Sequence, residues 1–289
     1  MCEHDDFDGF AGSQAALSRR RFGALALSAG VVAALPRSAS AQQTVGADVV
    51  VSTPDGEADA YFVHPSQGRH PAVLMWPDIF GLRPAFKGMA TRLAESGYAV
   101  LVVNPFYRTQ KAPTAPEHPD FNDPDTRKPL LALAGSLSAT TAATDAGAFI
   151  AYLDRNPAVD TRRKAGTLGY CMSGPIALRT AADVPARVGA VATFHGGGLV
   201  TGKPDSPHLL IPQIRAHALI AIAASDDAQE PDSKTVLRDA FATAHLPAEV
   251  EVYPGTKHGW CPTDAAVYDH EQAERAWARL LVLFGSALA

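Results

Sequence analysis

Four short stretches of the chain are apolar at nearly every position: Ala72–Trp76, Tyr98–Val103, Val188–Phe194 and Leu219–Ala223. Runs without polar alternation suit strands buried on both faces, as in a parallel sheet covered by helices. The segments between them change period. Pro84–Ser96 places Phe86, Met89, Ala90 and Leu93 at helical spacing and ends before Gly97. Further helices are expected within Leu130–Leu153, from about Ser173, near Ser233–Ala244 and from about Ala265. Residues 165–169 and Glu249–Tyr253 read as two more strands. Near the start, Asp48–Val51 and Asp59–Val63 flank Pro54-Asp55-Gly56, a turn signal, and read as a hairpin. Residues 109–129 carry Pro113, Pro116, Pro119, Pro124 and Pro129 and are expected to form a long surface loop at the entrance of a site. Repeated strand–helix units imply an α/β protein, its mostly parallel sheet covered by helices on both faces. A ligand site is then expected at the carboxyl ends of the strands.

The first residues follow another logic. Ser18-Arg19-Arg20-Arg21-Phe22 is a twin-arginine pattern, followed by an apolar run from Gly23 to Leu35 and a small-x-small site, Ala39-Ser40-Ala41. The run is too short for a stable transmembrane helix. Residues 1–41 are therefore expected to be a signal peptide, cleaved between Ala41 and Gln42 after use of the twin-arginine export machinery. The alternative is an uncleaved anchor. Residues 42–289 then form a single domain, exported and periplasmic, without a membrane span. The removed segment holds four arginines and four acids, so the net charge of −5 is unchanged by cleavage. A mildly acidic body without basic runs argues against nucleic acid as a partner.

The mature segment holds two cysteines, Cys171 and Cys261. Either they form a disulfide or both are free thiols; free thiols are preferred, because a bond would block the most informative motif in the chain. Gly169-Tyr170-Cys171-Met172-Ser173-Gly174 lies where a strand gives way to a helix. Small residues at 169 and 173 around a reactive side chain describe a nucleophile elbow. The backbone N–H of Met172 would face a developing oxyanion. The bland alternative is that Cys171 is a small core residue.

Two later loops carry matching chemistry. Ser225-Asp226-Asp227-Ala228 follows one strand, and Lys257-His258-Gly259-Trp260 follows the next. The order nucleophile, acid, histidine is that of a catalytic triad in a strand–helix hydrolase. His258 would take the thiol proton of Cys171, and an acid would orient the ring. Asp227 is preferred over Asp226 for that acid. His195, in Phe194-His195-Gly196-Gly197-Gly198, either lines the pocket or is structural. No His, Cys, Asp and Glu cluster has metal-ligand spacing, so neither metal nor cofactor is expected.

These motifs resemble those of the dienelactone hydrolases (carboxymethylenebutenolidases) of the α/β-hydrolase fold. The elbow resembles that family's Gly-Tyr-Cys-Leu-Gly-Gly, and Asp78-Ile79-Phe80-Gly81 its Glu-Ile-Phe-Gly. Asp227, four residues before Pro231, and Tyr253-Pro254-Gly255 through His258 match its acid and histidine loops. The resemblance runs from about residue 45 to the C-terminus. It implies a hydrolase of small ester or lactone substrates, with Ile79 N–H as second oxyanion donor and Asp78 as auxiliary carboxylate. It also implies Phe80, Tyr107 and Trp260 as pocket walls and Arg108 as a group for a substrate carboxylate. Three positions depart from the pattern: Asp78 replaces a glutamate, Ser173 a glycine and Pro262 an arginine. A binding protein without catalysis is the competing reading, and a redox role through the two cysteines ranks below it.

Overall fold

A computed structural model describes residues 41–117 and 119–289. The expected signal peptide, residues 1–41, lies outside them except for Ala41. Eight strands form one sheet: β1 (Thr44–Thr53), β2 (Gly56–Pro65), β3 (Ala72–Trp76), β4 (Ala99–Val103), β5 (Ala165–Tyr170), β6 (Val188–Phe194), β7 (His217–Ala223) and β8 (Ala248–Tyr253). Their spatial order is β1-β2-β4-β3-β5-β6-β7-β8. The hairpin β1–β2 is antiparallel and joins β4 antiparallel; all remaining pairs are parallel. This is the mostly parallel sheet of the α/β-hydrolase fold, with the hairpin at one edge.

Every residue of β3, β4, β5 and β6 is buried, as the uninterrupted apolar runs require. Helices α1 (Pro84–Glu95) and α7 (His270–Ala287) cover one face, packing Phe86, Leu93, Trp277 and Phe284 against Val73, Val100 and Leu168. Helices α3 (Ala139–Arg155), α4 (Gly174–Asp183) and α6 (Ser233–Thr243) cover the other, with Phe149, Leu178 and Phe241 against Leu74, Leu101 and Val191. Phe149 is fully buried, its ring 5.5 Å from that of Trp76. Such a side chain contributes about 1.5–3 kcal/mol through burial.

Two short helices were not expected. Helix α2 (Pro124–Gly135) starts inside the proline-rich stretch, with Pro124 in its first turn and the Asp123 carboxylate accepting from the N–H groups of Asp125 and Thr126. Proline at the start of a helix forgoes only a bond that would be unmade anyway. Pro129 sits inside the helix, so it costs one backbone bond there. Helix α5 (Ala224–Gln229) occupies the segment after β7 that reads as a loop. The last helix begins at His270 rather than near Ala265.

The chain passes from β3 to β4 on one side and then crosses back to β5 on the other. The crevice at the carboxyl ends of β3 and β5 is thus the point where strand order reverses, where open α/β sheets bind ligands.

Candidate active site

The elbow stands at that crevice. β5 ends at Tyr170, and residues 171–173 form a single 3-10 turn leading into α4. Cys171 has φ +53, a left-handed conformation rare for a residue with a side chain. Strain of this kind holds the thiol out of the sheet edge. The bend needs small neighbours: a Cβ at Gly169 would stand 2.1 Å from the Ser173 carbonyl oxygen, and one at Gly174 would stand 2.7 Å from Gly196 Cα.

β3 runs beside β5, with Trp76 level with Gly169. The chain after Trp76 therefore emerges next to the elbow. The buried Ser173 hydroxyl donates to the Pro77 carbonyl at 2.5 Å, tying the two segments together. A glycine at 173 could not make this bond. Ile79 and Met172 belong to one apolar cluster with Phe106, Leu130 and Leu133, so α2 closes one side of the site. Phe80 joins that cluster and meets Phe121 edge-on at 6.3 Å.

The histidine arrives from the far side. β7 and β8 are level at Ala223 and Tyr253, and the segments beyond them are stitched together. The Ala224 N–H donates to Thr256 Oγ1 at 3.1 Å, and the His258 N–H to Ser225 Oγ at 2.9 Å. His258 Nε2 then lies 3.1 Å from Cys171 Sγ, and Nδ1 lies 2.9 Å from Asp226 Oδ2. Burial of the imidazole works against its charge, but the bonds to Asp226 and Cys171 outweigh it and raise His258 from 6.5 to about 10.

The acid that reaches His258 is Asp226, not the Asp227 preferred from the sequence. Within helix α5, consecutive side chains diverge by about 100°. Asp226 turns to the histidine, while Asp227 bonds Lys234 on α6 at 2.6 Å. Ser225 and its hold on the His258 backbone had no signal in the sequence beyond lying next to the acids.

Asp78 does not approach the thiol by any hydrogen bond. Both its oxygens accept from Arg83, at 2.6 and 2.9 Å, and one also accepts from the Phe80 N–H. Burial pushes its carboxyl up, against the pull of Arg83. Arg83 also bonds both oxygens of Asp264, in the segment after His258. It thereby clamps the segment carrying Ile79 to the one following the histidine. Arg83, directly before Pro84, was missed because its partner Asp264 is distant in sequence.

Arg108 and Tyr107 are likewise occupied. Arg108 donates to Asp145 at 2.7 and 2.8 Å and to Asp55 at 2.6 Å. The buried Tyr107 hydroxyl donates to Asp145 and lies 2.7 Å from Thr53 Oγ1. Burial leads the causes that raise this phenol to about 12. These residues pin the β1–β2 turn to α3, which is an internal brace rather than a ligand-facing arrangement. Trp260 is fully buried in the core beside α7, stacked on Tyr253 at 4.8 Å. His195 has φ +42 and is fully buried, its ring 5.2 Å from that of His258. Burial, then the neighbouring His258, hold its pKa well below the usual value. Cys171 and Cys261 are both free, and Cys261 is buried on the α1–α7 face. Among the described residues, no group of three or more His, Cys, Asp and Glu side chains could hold a metal, and no helix is long and apolar enough to cross a membrane.

A strained elbow at the switch point of a mostly parallel sheet, faced by an acid and a histidine from the segments after β7 and β8, defines an α/β-hydrolase. Residues 58–288 match the dienelactone hydrolase family, and the chain belongs to it. It is a hydrolase acting on carboxylic ester or lactone bonds. Over 237 residues it is 27% identical to the carboxymethylenebutenolidase of Rhodococcus opacus, covering 78% of this chain and 88% of that one. Its fold is similar to that of a dienelactone hydrolase-like promiscuous phosphotriesterase from metagenomic libraries (TM-score 0.70, 21% identity, 86% of this chain and 100% of that one). It is also similar to that of a dienelactone hydrolase from Anabaena variabilis (TM-score 0.60, 19% identity, 86% of this chain and 100% of that one).

Proposed function

We propose that the protein hydrolyses ester or lactone bonds with Cys171 as nucleophile, through a thioester acyl-enzyme. The observation that carries this reading is the continuous line Cys171 Sγ–His258 Nε2 at 3.1 Å and His258 Nδ1–Asp226 Oδ2 at 2.9 Å. His258 takes the thiol proton, and the thiolate attacks the substrate carbonyl. Asp226 fixes the ring and stabilises the imidazolium. The N–H groups of Met172 and Ile79, on segments joined by the Ser173–Pro77 bond, are the donors for the oxyanion. His258 then protonates the leaving oxygen, and water activated by the same ring attacks the thioester and releases the acid. All four roles, nucleophile, proton carrier, orienting acid and oxyanion donor, are supplied by side chains and backbone of this chain.

The test is hydrolysis of a small activated aryl ester by the protein and by its Cys171→Ala variant. Turnover is expected to vanish in the variant while its circular dichroism stays that of the parent. A variant with parental activity would remove Cys171 from the mechanism.

We further infer export through the twin-arginine route, supported by Arg19-Arg20-Arg21, the apolar run after them and Ala39-Ser40-Ala41. The exported protein should have a mass beginning at Gln42. A full-length mass would refute cleavage.

A further inference from the structure

The charges around the site bear on its substrate, given the cysteine-hydrolase reading above. Two guanidiniums belong to segments that follow the carboxyl ends of β3 and β4. Each is held between two carboxylates. Arg83 bonds Asp78 and Asp264, and Arg108 bonds Asp55 and Asp145. Each set of three carries a formal charge of −1. Burial raises both Asp78 and Asp145, and protonation of either would bring its set only to neutrality. With one acid of a set protonated, its arginine still faces the other carboxylate.

The other positions agree. Four residues after His258 stands Pro262, which has no charge to offer. Lys234 is engaged by Asp227 at 2.6 Å. Lys257, exposed beside His258, lines a separate shallow cleft with Gly255, Ala266 and Glu271. The surface next to the thiol is apolar instead: Ile79, Phe80 and Met172 pack with Phe106, Leu130 and Leu133.

We propose that the substrate is an uncharged ester or lactone with an apolar acyl group, and that a carboxylate on the acyl group is selected against. A carboxylate brought here would lose water without gaining Arg83, Arg108 or Lys234 as a free cation. Beside Ile79 it would also meet the Arg83–Asp78–Asp264 cluster, whose net charge is negative or, with one acid protonated, zero.

The test compares two aryl esters of equal acyl length. One is 4-nitrophenyl pentanoate; the other is mono(4-nitrophenyl) glutarate, which ends in a carboxylate. Rates are corrected with the Cys171→Ala protein, which removes the glutarate's self-catalysed release. The expected result is a kcat/KM for the pentanoate roughly tenfold or more above that for the glutarate. Asp264→Asn, which removes one negative charge from the Arg83 cluster, should raise the glutarate-to-pentanoate ratio. An equal or higher kcat/KM for the glutarate, or a ratio unmoved in Asp264→Asn, would overturn the proposal and leave the hydrolase reading standing. No turnover of either ester above the Cys171→Ala blank would overturn the hydrolase reading and this proposal with it.

Discussion

Replacing Asp226 by asparagine keeps the size of the side chain and removes its charge. The pairing lost is the 2.9 Å contact between Asp226 Oδ2 and His258 Nδ1. A hydrogen bond with one charged partner contributes about 1.5–3 kcal/mol. The side chains here are 22% and 41% exposed, so solvent screening favours the lower end. That alone is about tenfold in rate. A second effect adds to it. An asparagine amide can donate to Nδ1, which places the ring proton on Nε2, facing the thiol. The ring then cannot accept the proton of Cys171. In serine triads this change of tautomer costs about 10⁴-fold. Asp226→Asn should therefore lower kcat/KM by at least about tenfold, and by up to about 10⁴-fold. Asp227→Asn breaks only the ion pair with Lys234, whose side chains are 22% and 27% exposed. Such a pair contributes about 1 kcal/mol at most, so its loss should cost no more than about fivefold. The assay is aryl ester hydrolysis by both variants, with folding checked by circular dichroism. A larger loss in Asp227→Asn than in Asp226→Asn would refute the reasoning from the geometry of α5.

Activity should also show an alkaline limb near pH 10, because the imidazolium of His258, raised to about 10, is lost there. The same shift stabilises the fold fully below about 6.5, and this contribution is lost as pH rises through about 10. A limb near pH 7 in the kcat/KM profile would contradict the strength of the Asp226–His258–Cys171 coupling. Arg108→Ala should destabilise the protein by about 2–4 kcal/mol in urea unfolding, since the Asp145 carboxylate, 3% exposed, would keep only the Tyr107 hydroxyl as partner. A stability unchanged within about 0.5 kcal/mol, together with a raised KM for acidic esters, would make Arg108 a substrate-binding group instead.

Much of this architecture was written locally in the chain. The apolar runs of β3, β4 and β6 report strands buried on both faces, and small residues around Cys171 report the bend. What escaped depended on contacts between distant segments or on a change of local period. In an extended loop, Asp226 and Asp227 are interchangeable; in the helical turn of α5, one meets His258 and the other Lys234. Arg108 resembles a ligand-binding arginine until Asp145, from α3, and Asp55, from the hairpin turn, are brought to it by the fold. The start of α2 did have a local signal. Asp123-Pro124 is an N-cap followed by a first-turn proline, but the density of prolines around it concealed the pattern.

The cluster of Ile79 and Met172 with Leu130 and Leu133 joins two parts of the molecule with different mechanical roots. Ile79 and Met172, the proposed oxyanion donors, follow β3 and β5, two central strands with every residue buried. The wall facing them hangs from α2, a helix of 12 residues outside the sheet, entered through a proline-rich segment. In the mechanism proposed above, bond breaking and ligand choice are therefore carried on separate supports. Repacking Leu130 and Leu133 is a route to altered acyl preference that leaves the elbow, its histidine and their spacing in place.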